Sequence, residues 1–194
     1  MSPNCILERV ATTKSTNDDL LARWRAGELI DPVARIAHDQ TSGKGRAGRI
    51  WLSNPGDALC FSLAYPFNKR PHELSGLSLV IGLAVISGIA GALGIHETTL
   101  HQQGLRLKWP NDLLINGKKF AGMIAQAANK GIVIGIGINV GMAEDELPVE
   151  NATSLAIEGF AELDRNILLA TIINHIEINF QMWELGNSFI AQYR

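Results

Sequence analysis

The chain is poor in cysteine, in aromatic residues and in net charge. Its two cysteines, Cys5 and Cys60, in 194 residues cannot make a disulfide framework or a cysteine-built zinc site, so both read as buried free thiols. Aromatic residues make up 6% and charged residues 19%, with a net charge of −2. Such a balance creates no broad basic field to hold a nucleic acid by its phosphates. The N-terminus, Met1-Ser2-Pro3-Asn4-Cys5, lacks the basic start and apolar run of a secretory signal, which points to the cytoplasm. No internal repeat or low-complexity linker divides the chain, and 46% apolar residues suffice for one domain with a sizeable core.

One long uncharged run exists, from Leu74 to Ile95. It could cross a bilayer by length, but Gly76, Gly82, Gly88, Gly91 and Gly94 interrupt it and no aromatic belt or basic cluster flanks it closely. It reads as a core helix whose small residues allow close packing, and no membrane partner is expected.

Hydrophobic periodicity places the other elements. Cys5 to Ala11 is strand-like, and Ser15 caps a helix through about Ala26, with Asp18 three residues on. Val33 to His38 and Ala58 to Phe67 read as strands, the latter with Leu59, Phe61, Leu63 and Tyr65 on one face. Leu105 to Trp109 is a strand ended by Pro110. Asp112 to Ile115 and Lys118 to Ala127 flank Asn116-Gly117, a strong hairpin signal. In Gly131 to Val140, isoleucines 132, 134, 136 and 138 face one way; Val133, Gly135, Gly137 and Asn139 face the other, where something else must fill the space. Leu163 to Trp183 is a second long helix. Strands and helices mix without strict alternation, giving an α+β fold with a mixed sheet covered by helices.

Chemistry concentrates in two places. The segment from Gln40 to Trp51 holds Gly43, Gly45 and Gly48 among Lys44, Arg46 and Arg49, a bendable backbone carrying local positive charge. It matches G-x-G-x-x-G, but no helix begins within it and no acidic residue follows at a clear strand end, so a dinucleotide site is not expected. A Walker loop fails because no lysine-serine or lysine-threonine pair follows the glycines. The second place is Lys108-Trp109-Pro110-Asn111-Asp112 with Lys119 after the hairpin. In isolation its lysines would read as solvated strand charges. The histidines His38, His72, His96, His101 and His175 match no catalytic spacing.

Ser15-Thr16-Asn17, the glycine segment, Lys108 to Asp112, Lys119 and Gly135 to Asn139, taken together, resemble the biotin protein ligase family, over roughly Ala11 to Tyr193. The resemblance implies the biotin/lipoate ligase catalytic fold, similar to that of class II aminoacyl-tRNA synthetases. It implies activation of biotin by ATP and Mg2+ to biotinyl-5′-AMP, then transfer to a lysine of a carboxylase's biotin carboxyl carrier domain. By that likeness Ser15, Thr16, Asn17 and Gln40 would contact the ureido head, and Lys44, Gly45 and Arg46 would close over biotin. Lys119 would hold the carboxylate and then the adenylate, with Lys119 and Arg46 as the catalytic cations. Arg49 would face phosphate, Trp51 would stack on adenine, and Asn111 and Asn139 would place the nucleotide. Gly122 and the glycines of the last strand would leave room for the ligand, and Asp112 would help hold the metal, directly or through water.

The sequence departs from the family pattern at Lys44, where arginine is usual, keeping the charge but losing the bidentate fork. No DNA-binding helix-turn-helix fits before Ser15, and residues 1–194 read as a catalytic domain without the small C-terminal SH3-like barrel. A homodimer through sheet edges is implied by likeness alone. Two other readings stand beside the ligase: a lipoate or octanoyl ligase of the same fold, and a non-catalytic binder of biotin or its adenylate.

Overall fold

The computed structural model describes residues 5–66, 74, 76–128, 131–161, 163–186 and 188–189. A seven-stranded mixed sheet forms its centre. In chain order the elements are β1 (Ile6–Thr13), α1 (Thr16–Arg25), β2 (Val33–Gln40), β3 (Gly43–Lys44), β4 (Ile50–Trp51), β5 (Ala58–Pro66), α2 (Leu77–Leu93), α3 (Glu97–Gln102), β6 (Leu105–Lys108), β7 (Asp112–Ile115), β8 (Lys118–Ala128), β9 (Gly131–Asn139) and α4 (Arg165–Glu184). The strands lie in the order β1-β2-β5-β9-β8-β7-β6, with β3 and β4 forming a separate ribbon. Only the β1–β2 pair is parallel; every other neighbour in the sheet is antiparallel.

Helices α2 and α4 cover one face. The isoleucines of β9 and Leu59, Phe61 and Leu63 of β5 meet them in the main core. Small residues permit the close approach, since a Cβ on Gly88 would lie 2.6 Å from Ile172 Cα. The apolar run is therefore a core helix, and among the described residues no helix is long and apolar enough to cross a membrane. It spans less than the uncharged run, because left-handed Gly76 (φ 89°) and Gly94 (φ 66°) bound it.

The opposite face of β5 is buried as well, through Cys60, Ser62 and Ala64, because β5 is central and α1 packs against the far side. There Leu20, Leu21 and Trp24 of α1 form a smaller core with Val33, Ala64, Ala128 and Val133. Ser15 caps α1 by accepting from Asp18 N, which fixes where the helix starts over the sheet. Asp164 caps α4 by accepting from Asn166 N at 2.6 Å and Ile167 N at 3.2 Å, so that helix begins two residues later than its periodicity suggests. The Asn116-Gly117 turn takes φ of 50° and 81°, as a tight hairpin requires. Helix α3 has no counterpart in the sequence reading, and Phe67, His72 and Tyr193 lie outside the described residues.

Candidate functional site

The face of the sheet under the start of α1 carries a cavity of about 470 Å³, a volume suited to a small ligand. Of the residues picked out in the sequence, Ser15, Thr16, Asn17, Gln40, Lys44, Gly45, Arg46, Arg49, Trp51, Asn111, Asp112, Lys119 and Gly122 all line it. Asn139 does not.

One end is polar and buried. Ser15, Thr16, Asn17 and Ser62 are each at most 3% exposed. Gln40 Oε1 accepts from Thr16 N at 2.8 Å and lies 3.0 Å from the Thr16 hydroxyl. The Thr16 and Ser62 hydroxyls lie 2.8 Å apart, and Ser62 donates to Asn17 Oδ1 at 3.5 Å. Asn17 Nδ2 donates to Gln126 Oε1. Ser62 and Gln126 were missed in the sequence. Ser62 left one signal, a lone hydroxyl inside the apolar strand Leu59–Ala64.

Lys119 reaches the cavity because β8 is bulged. Asp112 pairs with Gly122 and Leu113 with Ala121, but Leu114 pairs with Lys119, so Phe120 is the extra residue. Both Phe120 and Ala121 enter the main core, and the lost alternation turns Lys119 onto the same face as Gly122. Its backbone is clamped by the segment after β9: Lys119 N donates to Asn151 O at 2.8 Å, and Lys119 O accepts from Thr153 N at 2.9 Å. Lys119 Nζ lies 2.7 Å from Asp112 Oδ1. That oxygen is buried and the approach misses hydrogen-bond angles, so the pair is held by charge.

The glycine segment folds as the β3–β4 ribbon around a 3-10 turn, Arg46–Gly48. Gly43 pairs with Trp51, and a Cβ there would lie 2.6 Å from Trp51 O. Ala47 (φ 54°) and Gly48 (φ 73°) are both left-handed. Arg46 donates to Asn111 Oδ1 at 3.4 Å, while Asn111 Nδ2 donates to Met123 O at 3.1 Å, tying the ribbon to β8. Lys44 pairs with Asp18 at 2.7 Å. Arg46 and Arg49 are exposed at the rim.

The small face of β9 is filled by the protein's own site residues. A Cβ on Gly135 would lie 3.0 Å from Asn17 Oδ1, and one on Gly137 would collide with the Trp51 indole. At Gly122 a Cβ would meet Lys119 Nζ at 3.1 Å and Trp51 Cζ3 at 3.2 Å. The glycines line the cavity and also seat the side chains beside them. The half-buried Trp51 places its ring centroid 5.7 Å from Lys119 Nζ. Its Nε1 is buried without an acceptor at hydrogen-bond geometry, although the Cys60 thiol is near enough to feel it. Burial raises the Cys60 pKa, with partial opposition from Ser53, Trp51 and Gln40. Cys5 is only half-buried.

Asn139 sits beyond Trp51 along the same lane. Its Nδ2 donates to Thr153 O at 3.0 Å, leaving Oδ1 buried with no partner among the described residues.

The biotin/lipoate A/B protein ligase family model matches residues 10–142. The chain belongs to this family. The biotin–[acetyl-CoA-carboxylase] ligase of Mycobacterium tuberculosis is 38% identical over 190 residues, covering 97% of this chain and 69% of that protein. The bifunctional ligase/repressor BirA of Escherichia coli is 37% identical over 176 residues, 88% of this chain and 52% of that protein, so the chain spans about half of that relative's length. A solved biotin protein ligase from Aquifex aeolicus, in complex with biotin and ATP, superposes with a TM-score of 0.78 at 30% identity, covering 97% of this chain and 76% of that one. The ligase fold expected from the sequence, a mixed sheet covered by helices, is the one observed.

Proposed function

We propose that the chain activates biotin with ATP to biotinyl-5′-AMP and transfers the biotinyl group to a lysine of a carboxylase's biotin carboxyl carrier domain. The observation that carries this reading is the placement of Lys119. It lines one cavity together with a buried hydrogen-bonding end and a cationic glycine ribbon.

The buried end, Ser15, Thr16, Asn17 and Gln40, suits a small neutral head group rich in donors and acceptors, as the ureido ring of biotin is. Attack of a carboxylate on ATP brings anions together, and each unit-charge pair near 4 Å costs about 4 kcal/mol at an effective dielectric near 20. Lys119 offsets that repulsion at the reacting carboxylate, while Arg46 and Arg49 face the phosphates. Trp51 offers an aromatic face to adenine, and Asn111 anchors the ribbon beside it. Lys44 and Gly45 close the ribbon over the vitamin, helping to keep water from the mixed anhydride.

Among the described residues no group of three or more His, Cys, Asp or Glu side chains could hold a metal. Magnesium binds through one or two carboxylates together with substrate phosphates. Asp112 is the carboxylate that would hold it, and the ion would neutralise phosphate charge. We place the activity in the cytoplasm, with homodimerisation through sheet edges.

The test is mass spectrometry of a carrier domain incubated with this chain, biotin and magnesium-ATP. One biotinyl group on the acceptor lysine is expected; a modified carrier only with lipoate would refute the reading.

A further inference from the structure

The polar end of the cavity has a direction, set by a residue that does not line the cavity. An asparagine carboxamide presents an oxygen on one side and an NH2 on the other, and its neighbours decide which faces where. Asn17 Nδ2 donates to Gln126 Oε1, across 109 residues of sequence. Its Oδ1 is thereby turned over Gly135, 3.0 Å from where a Cβ would stand, and toward Ser62, whose hydroxyl donates to it at 3.5 Å.

The remaining bonds agree with that direction. The single Thr16 hydroxyl proton can go to Gln40 Oε1 at 3.0 Å or to Ser62 at 2.8 Å. Gln40 Oε1 already accepts from Thr16 N at 2.8 Å, so the shorter contact to Ser62 takes it and leaves the Ser62 proton for Asn17. Ser62 then donates to Asn17 Oδ1. A carbonyl oxygen has two lone pairs, and Ser62 takes one at long distance. The other belongs to a buried oxygen in a cavity-lining residue 3% exposed, where an unmet acceptor is costly.

We infer that Gln126 is a positioning residue that fixes Asn17 with its oxygen toward the cavity, so that this end selects a ligand head group presenting an N–H. The inference rests on the proposed biotin chemistry and adds which atom is read: a ureido N–H donating to Asn17 Oδ1. Gln126 contributes only its acceptor oxygen. Glutamate at 126, an acceptor alone, therefore preserves the arrangement, whereas methionine of similar size releases the carboxamide to turn.

The experiment measures the Kd of biotin, of the two lactam analogues in which one ureido N–H is replaced by CH2, and of ATP, by calorimetry on the native chain, Gln126→Glu and Gln126→Met. The native chain and Gln126→Glu should bind biotin at least about tenfold more tightly than one of the two analogues. In Gln126→Met that ratio should collapse to within about threefold, with ATP affinity unchanged. A merely structural role would weaken all ligands together and leave the ratio intact. An unchanged ratio in Gln126→Met, or its loss in Gln126→Glu, overturns the inference. Absence of biotin binding by the native chain would instead overturn the functional reading, and this inference with it.

Discussion

Gly137→Ala separates the two accounts of the small face of β9. If the glycine serves only an absent ligand, an added methyl leaves the free protein untouched. Here the methyl meets Trp51, with Cζ2 and Nε1 both at 2.7 Å and Cε2 closer still. Two responses are open. The ribbon can lift the indole away, exposing about 100 Å² of a ring that is half-buried, which at about 25 cal/mol/Å² is about 2.5 kcal/mol. Alternatively β9 shifts, an overpacking cost of about 1–3 kcal/mol. Lifting the ribbon is favoured, since β9 is paired on both sides and the ribbon stands apart from the sheet. The expected loss is therefore about 1–2.5 kcal/mol, read as about 2–4 °C in Tm per kcal/mol for a domain of this size. In a Trp51→Ala background the same substitution should cost less than about 0.5 kcal/mol. Thermal unfolding of the four proteins decides, and an equal penalty in both backgrounds would refute the assignment of Gly137 to Trp51.

Other outcomes follow from the same geometry. Because burial raises the Cys60 pKa, a maleimide should modify Cys60 only when the chain unfolds; peptide mapping that finds rapid native labelling there would contradict this. The Asp164 carboxyl is held below its ordinary value of 3.8 by the Asn166 and Ile167 amides. Its cap stabilises above that ordinary value and fades as pH falls through the lowered one. Tm measured between about pH 5 and pH 2 should lose that component in Asp164→Asn, which caps without titrating, and an identical acid limb in the two proteins would count against it. Lys44→Arg retains a cation beside Asp18 and should change the adenylation rate by less than about tenfold; a larger gain would mean that the lysine handicaps the site.

Local signals were legible, and long-range ones were not. The cap at Ser15, the Asn116-Gly117 turn and the alternation in β9 each depend on neighbours a few residues apart, and all are found. Helix α3 was missed because six residues give periodicity too little length, and its cap, His96 accepting from Thr98 N, is an uncommon one. Most cavity-lining residues came from a family resemblance, since Lys108 and Lys119 alone look like solvated charges. The bulge at Phe120 that aims Lys119, the Trp51 seat on Gly137 and the Asn17–Gln126 bond all depend on strand register and tertiary packing. None has a local signature.

The most direct test of the central claim is adenylate formation with Lys119 altered. With biotin, magnesium and ATP labelled at the α-phosphate, the native chain should form biotinyl-5′-AMP. Lys119→Ala should form it more than about a hundredfold more slowly, the loss of a charge stabiliser at the reacting carboxylate. Equal rates in the two proteins would contradict the account, as would a native chain that forms no adenylate from biotin.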